Sequence, residues 1–185
     1  MIFTPLRLPG AYVIDLVRHD DDRGFFARWW SRDEWEARGL TPRIEQCSIS
    51  FNRRRGTLRG MHYQAAPYEE AKLVRCTRGA IYDVVVDLRP AAPTYTQWEA
   101  IELTADNRRS VYVPEGVAHG FLTLADETEV SYQISVPYMP DLARGVRWND
   151  PAFGIVWPEP VEVLSPRDAS YPDFTRAGVA DALGR

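Results

Sequence analysis

The chain has 185 residues, 45% of them hydrophobic and 26% charged, and a formal net charge of -4. That length supports one domain with a full core, and the balance is that of an ordinary globular protein. The negative charge argues against a general nucleic-acid binder, and no apolar run approaches the roughly 20 residues that span a bilayer.

Short apolar runs follow one another, punctuated by Gly, Pro, Asp and Asn, which predicts strands joined by turns. Ala11–Val17 reads as a strand, and Phe25–Trp30 as another after the turn Asp20-Asp21-Asp22-Arg23-Gly24. Ser31-Arg32-Asp33-Glu34 has the form of a capping box and predicts a short helix to about Arg38, ended by Gly39. Arg43–Phe51, Thr57–Gln64, Ala71–Arg78 and Ala80–Leu88 are the next strands, the last two joined at Gly79 as a hairpin. Trp98–Leu103, Ser110–Val113, Gly120–Leu124 and Glu129–Val136 continue the series. Thr175–Leu183 reads as a short terminal helix. Many short strands and few helices predict a mostly β protein, a closed antiparallel barrel or jelly roll, with residues 1–185 forming one domain. Closure removes exposed strand edges, and a barrel of this size holds one small ligand in its mouth.

Pro5, Arg7 and Pro9 interrupt the apolar residues of the N-terminus, which therefore does not read as a signal peptide. The two cysteines, Cys47 and Cys76, fall in no CxxC or CxxH spacing, so reduced thiols in the cytoplasm are expected rather than a zinc cluster. Cys76 lies in an apolar strand and reads as core.

The chain holds three histidines, His19, His62 and His119. His62, on a predicted strand among charged neighbours, suits proton transfer near neutral pH; the alternative is a barrel histidine with a purely structural bond. Alternation puts Lys72, Val74 and Cys76 on one strand face, and Ile81, Asp83, Val85 and Asp87 on one face of the next. Lys72 and Asp83 form a charge pair in a pocket if both point inward, but the spacing alone favours a solvated pair outside. Pro114-Glu115-Gly116-Val117-Ala118-His119 has the PxGxxH spacing of the second motif of cupin barrels. The matching first motif is His62-Tyr63-Gln64, in which glutamine stands where metal cupins carry a second histidine. Too few ligands remain for a conventional metal site, so no metal is expected and proton chemistry is favoured over metal-assisted oxidation. Tyr132 shares a strand face with Val130 and Ile134, and Tyr138 follows Pro137, where the strand breaks. A phenol there can donate a proton or simply pack. Taken alone, Asp168 in Leu164-Ser165-Pro166-Arg167-Asp168 reads as a surface turn.

Together these segments resemble the nucleotide-sugar epimerases of the dTDP-4-dehydrorhamnose 3,5-epimerase type. The resemblance runs from Asp22-Arg23-Gly24-Phe25-Phe26 through Leu58-Arg59-Gly60-Met61-His62-Tyr63-Gln64, Lys72-Leu73-Val74-Arg75-Cys76, His119-Gly120-Phe121 and Trp148-Asn149-Asp150-Pro151 to Asp168. It implies a metal-free cupin-type jelly roll, a homodimer with exchanged N-terminal strands, no cofactor, and an isomerase acting on a 4-keto-6-deoxyhexose linked to a nucleoside diphosphate. It further implies His62 as general base, Asp168 as its orienting partner, Tyr138 as the acid on the other face, Lys72 at the enolate oxygen and Tyr132 as pocket support. Arg23 and Arg59 are implied as diphosphate and nucleotide contacts, Phe26 and Gln46 as substrate contacts, and His119 and Asp83 as pocket-lining groups. Strict alternation sets Arg59 opposite His62, unless Gly60 makes a bulge. Epimerisation of C3 or C5 alone, 3,4-ketoisomerisation, a metal-cupin dioxygenase and a non-catalytic sugar-binding barrel are the competing expectations.

Overall fold

The computed structural model describes residues 1–175. The strands are β1 (Ile2–Pro5), β2 (Tyr12–Asp15), β3 (Arg18–Asp21), β4 (Gly24–Ala27), β5 (Gln46–Asn52), β6 (Leu58–Gln64) and β7 (Lys72–Arg78), then β8 (Ala80–Asp87), β9 (Trp98–Thr104), β10 (Ser110–Val113), β11 (Val117–Thr123), β12 (Thr128–Ile134) and β13 (Ala143–Gly145). Helix α1 spans Arg32–Glu36, and α2 spans Pro166–Ala169. A six-stranded sheet runs β1-β2-β10-β7-β12-β5 and faces a five-stranded sheet β13-β6-β11-β8-β9, while β3 and β4 pair only with each other. All strand pairs are antiparallel. The architecture is the cupin-type jelly roll that the strand pattern predicts.

The core follows from period-two alternation. Val74 and Cys76 of β7, Ile81 and Val85 of β8, Phe121 of β11 and Val130 of β12 fill the space between the sheets. Lys72, Asp83 and Tyr132 continue the same inward rows. The core thus turns polar toward one end of the barrel. On the outside of the six-stranded sheet, Trp35 of α1 packs on Ile14, Leu73 and Tyr112 and is 1% exposed, a burial worth at least about 2 kcal/mol.

Several expectations are corrected. Gly79 does not make a hairpin: β7 pairs with β10 and β12, and β8 with β11 and β9. The glycine instead carries the chain from one sheet to the other at φ +78°, and a Cβ there would meet Thr128 Oγ1 at 2.4 Å. Ser31 precedes α1 in extended conformation, but its side chain makes no capping bond. Glu34 is engaged with the Met1 amino group at 3.3 Å. Strands β1, β3 and β13, and helix α2, carry too little apolar alternation to be read from sequence. Of the predicted helix Thr175–Leu183, all but Thr175 lies outside the described residues.

Candidate active site

At the polar end of the barrel a cavity of about 310 Å³ opens between the sheets. His62 and Arg59 of β6 and His119 of β11 enter it from one sheet, and Lys72 of β7 and Tyr132 of β12 from the other. Tyr138, Arg144 and Arg167 complete its lining.

Arg59 reaches this cavity through a bulge. Across β6 and β11, His62 faces His119 but Arg59 faces Phe121, so β6 carries one extra residue there and Arg59 and His62 reach the same side. Gly60 sits in the bulge at φ +146°, and a Cβ on it would fall 2.6 Å from Gly120 Cα. Arg59 Nε then donates to Asn52 Oδ1 at 2.7 Å.

His62 Nε2 lies 2.7 Å from Asp168 Oδ1. Asp168 is 4% exposed, not a surface turn. The short helix α2 delivers it: Ser165 Oγ caps the Asp168 amide at 3.1 Å, and the Gly60 amide donates to Asp168 Oδ2 at 3.3 Å. Burial alone would raise the Asp168 pKa, but the His62 contact and the Gly60 and Ser165 bonds outweigh it and hold the carboxyl below its usual range. With Nε2 engaged, Nδ1 is the His62 nitrogen left to accept a proton.

Lys72 and Asp83 are both buried, against the solvated pair favoured by spacing, yet they do not form a direct ion pair. Lys72 Nζ lies 2.7 Å from Glu70 Oε1 and donates to the His62 carbonyl at 3.3 Å. Asp83, fully buried behind the cavity wall, pairs with His119 Nε2 at 2.7 Å. Burial pushes the Asp83 pKa up against the pull of His119 and Lys72. His62 and His119 are register partners, but each has its Nε2 committed to its own carboxylate, a poor donor set for a shared metal. Among the described residues no cluster of three or more His, Cys, Asp or Glu side chains converges.

The two tyrosines differ. Tyr132 rises from the sheet opposite His62, its ring edge-on to His119 at 6.2 Å and its hydroxyl 3.3 Å from Ser50 Oγ. Burial pushes its pKa well up. Tyr138 stands at the rim, 55% exposed, beside Arg167. Its backbone amide donates to Gln46 Oε1 at 3.1 Å. Gln64, at the place of a metal cupin's second histidine, clamps the same loop: it accepts from the Met139 amide at 2.8 Å and donates to the Pro137 carbonyl at 3.1 Å.

Two expected residues lie away from the cavity. Arg23 sits at the exposed tip of the β3–β4 hairpin, paired with Asp21 at 2.6 Å, and Phe26 is 72% exposed. The hairpin pairs with neither sheet, so among the described residues of one chain nothing brings these side chains to the barrel mouth. Glu70, Arg144 and Arg167 join the site unannounced. Extending the β7 alternation back two residues puts Glu70 on the Lys72 face, a signal the sequence did carry; Arg144 lies in the three-residue strand β13 and Arg167 in the four-residue helix α2, both too short to show a period.

The profile of the dTDP-4-dehydrorhamnose 3,5-epimerase family matches residues 5–176. The dTDP-4-dehydrorhamnose 3,5-epimerase of Mycolicibacterium smegmatis is 42% identical over 187 residues, covering 99% of this chain and 90% of that protein. The RmlC epimerase of Mycobacterium tuberculosis superposes with a TM-score of 0.92 at 35% identity, over 100% of this chain and 94% of that one. ChmJ, a 3'-monoepimerase from Streptomyces bikiniensis, solved with dTDP, superposes with a TM-score of 0.85 at 35% identity over 97% and 89% of the two chains. That structure is a double variant, histidine to asparagine and tyrosine to phenylalanine, with the two positions as far apart in sequence as His62 and Tyr132 are here. Whole-length similarity, a shared jelly roll and a His–Asp pair facing a lysine and a tyrosine across one cavity converge on a single assignment: this chain belongs to the dTDP-4-dehydrorhamnose 3,5-epimerase family.

Proposed function

We propose that the protein is an isomerase that epimerises C3 and C5 of a dTDP-linked 4-keto-6-deoxyhexose without a cofactor. The observation that carries this reading is the His62–Asp168 pair, 2.7 Å apart, facing Tyr132 and Lys72 across one cavity. The 4-ketone acidifies the C–H bonds on either side of it. His62 Nδ1 takes the proton, and the electron pair of the broken C–H bond delocalises onto O4 as an enolate. Asp168 stabilises the imidazolium that forms. The Lys72 ammonium stabilises O4, an effect of about 3 kcal/mol for one preorganised donor. A proton from a tyrosine on the opposite face then closes the C–H bond with inverted configuration, and solvent restores both side chains.

We infer that this acid is Tyr132 rather than Tyr138, the expectation from resemblance, and position supports the inference. Tyr132 projects from the sheet opposite His62, whereas Tyr138 lies at the rim beside Arg167, the neighbour of Asp168. A phenol with a raised pKa stays protonated at neutral pH, and protonating an enolate carbon remains downhill. Arg59, Arg144 and Arg167 at the mouth suit a diphosphate, and Tyr138 and Gln46 a nucleoside beyond it. His119, backed by Asp83, lines the sugar end.

The chain acts as a homodimer in this reading, and one observation supports it. β5 is a free sheet edge with Ile49 67% and Phe51 45% exposed, while the β3–β4 hairpin that carries Arg23 and Phe26 has no sheet to join. Exchange of N-terminal strands covers the edge and brings Arg23 and Phe26 toward the partner's cavity. Among the described residues no helix is long and apolar enough to cross a membrane; we place the reaction in the cytoplasm, where free thiols such as Cys47 and Cys76 persist.

The test is deuterium wash-in from D₂O into dTDP-4-keto-6-deoxyglucose, read at C3 and C5. Exchange at both carbons supports the reading, exchange at one alone makes the protein a monoepimerase, and exchange at neither overturns it.

A further inference from the structure

We propose that Tyr171 is a positioning residue that fixes the plane of the His62 imidazole, and that position 145 is glycine in order to seat its ring. The inference rests on His62 being the base and adds a part to that machinery. Gly145 of β13 is the direct register partner of His62. Its backbone lies outside the left-handed region, so its conformation does not demand glycine. Space does: a Cβ at position 145 would fall 2.3 Å from Cζ and 2.4 Å from Cε2 of the Tyr171 ring. The ring lies over the strand in the volume a side chain would take, with its centroid 6.2 Å from that of His62 and the planes at 68°.

The need for such a contact follows from the dyad. One hydrogen bond to the Asp168 carboxylate fixes the direction of Nε2 but leaves the imidazole free to tilt about that axis, and the His62 side chain is 38% exposed. An edge-on aromatic neighbour removes the tilt. The angle matters because the Nδ1 lone pair must point along a C–H bond, and small misplacements of a base cost large factors in rate. Both constraints arrive on one stretch of chain: Asp168 ends up on Nε2 through the Ser165 cap, and Tyr171 follows it three residues later. The Tyr171 hydroxyl is turned to Arg167, whereas the contact with His62 is made by the ring, so the ring, not the phenol oxygen, carries the effect on the imidazole.

The experiment compares Tyr171→Phe, Tyr171→Ala, Gly145→Ala and the double variant Gly145→Ala/Tyr171→Ala in the deuterium wash-in assay, with dTDP affinity as the control for folding. Tyr171→Phe keeps kcat within about twofold of wild type, while Tyr171→Ala lowers it about tenfold or more with KM nearly unchanged, the pattern of a lost transition-state interaction. Gly145→Ala, which pushes the ring aside, also lowers kcat, and the double variant is no worse than Tyr171→Ala alone, because both remove the same contact. An unchanged kcat in Tyr171→Ala overturns the proposal, as do equal losses in the Phe and Ala variants or multiplying effects of the Gly145 and Tyr171 changes. If Tyr171→Ala fails to bind dTDP, Gly145→Ala, a single added methyl, carries the same reading. His62→Asn separates this inference from the one beneath it: wild-type exchange in that variant refutes His62 as base, whereas a dead His62→Asn with a normal Tyr171→Ala refutes only the role of Tyr171.

Discussion

At the scale of single residues, the site pairs each histidine with a carboxylate and leaves the phenol and the ammonium facing the cavity. Replacing His62 with Asn removes the proposed base and should lower exchange at C3 and C5 by about 10²–10⁴-fold, with dTDP affinity retained in a calorimetric titration. Tyr132→Phe should cost a comparable factor, and Tyr138→Phe much less in kcat; a larger kcat loss from Tyr138→Phe would return the acid role to the rim. Asp168 also links pH to stability. Its native pKa is depressed, so its contribution is complete above the unfolded value of about 3.9 and disappears as pH falls through the lower native value. Thermal unfolding between pH 6 and pH 2 should therefore show a steeper acid loss in wild type than in Asp168→Asn. None of this was visible in the local sequence around Asp168, because its contact with His62 spans 106 residues and only the family resemblance pointed to it. Lys72 was misjudged in a different way: spacing alone favoured a solvated position, although Lys72, like Tyr132, continues an alternating row whose other members are core.

At the scale of elements, alternation placed β7, β8, β10 and β12 within a few residues of their observed bounds, because each has one face in the core. It misread the step at Gly79, since a glycine turn looks the same whether the next strand pairs with the last or crosses to the facing sheet. It also left Arg59 on the wrong side unless Gly60 bulged, and the register shift between β6 and β11 supplies the bulge. Gly60→Ala tests that device. The new Cβ meets Gly120 Cα at 2.6 Å in a backbone conformation that favours glycine, so the variant should lose about 2–4 kcal/mol in a urea titration and bind dTDP more weakly as Arg59 leaves the cavity.

At the scale of the whole molecule, the barrel is self-sufficient but the mouth is not. Arg23 and Phe26 resemble substrate contacts in sequence and stand off the cavity in a single chain, a conflict that the proposed exchange of the hairpin between two copies would resolve. If the proposed dimer forms through the free edge, wild type should sediment as a dimer and Ile49→Lys/Phe51→Glu as a monomer with weakened dTDP binding; a monomeric wild type overturns the dimer, and a variant that stays dimeric means the copies meet elsewhere. The single-chain sequence could not settle this, since pairing between copies leaves no period of its own. Cys76, Val74 and Lys72 form a single file along β7, the first two locked in the hydrophobic interior and the third lining the cavity. The proposed chemistry is therefore bolted to the same girder that holds the protein up, and on warming Lys72 should keep its aim until the interior itself lets go.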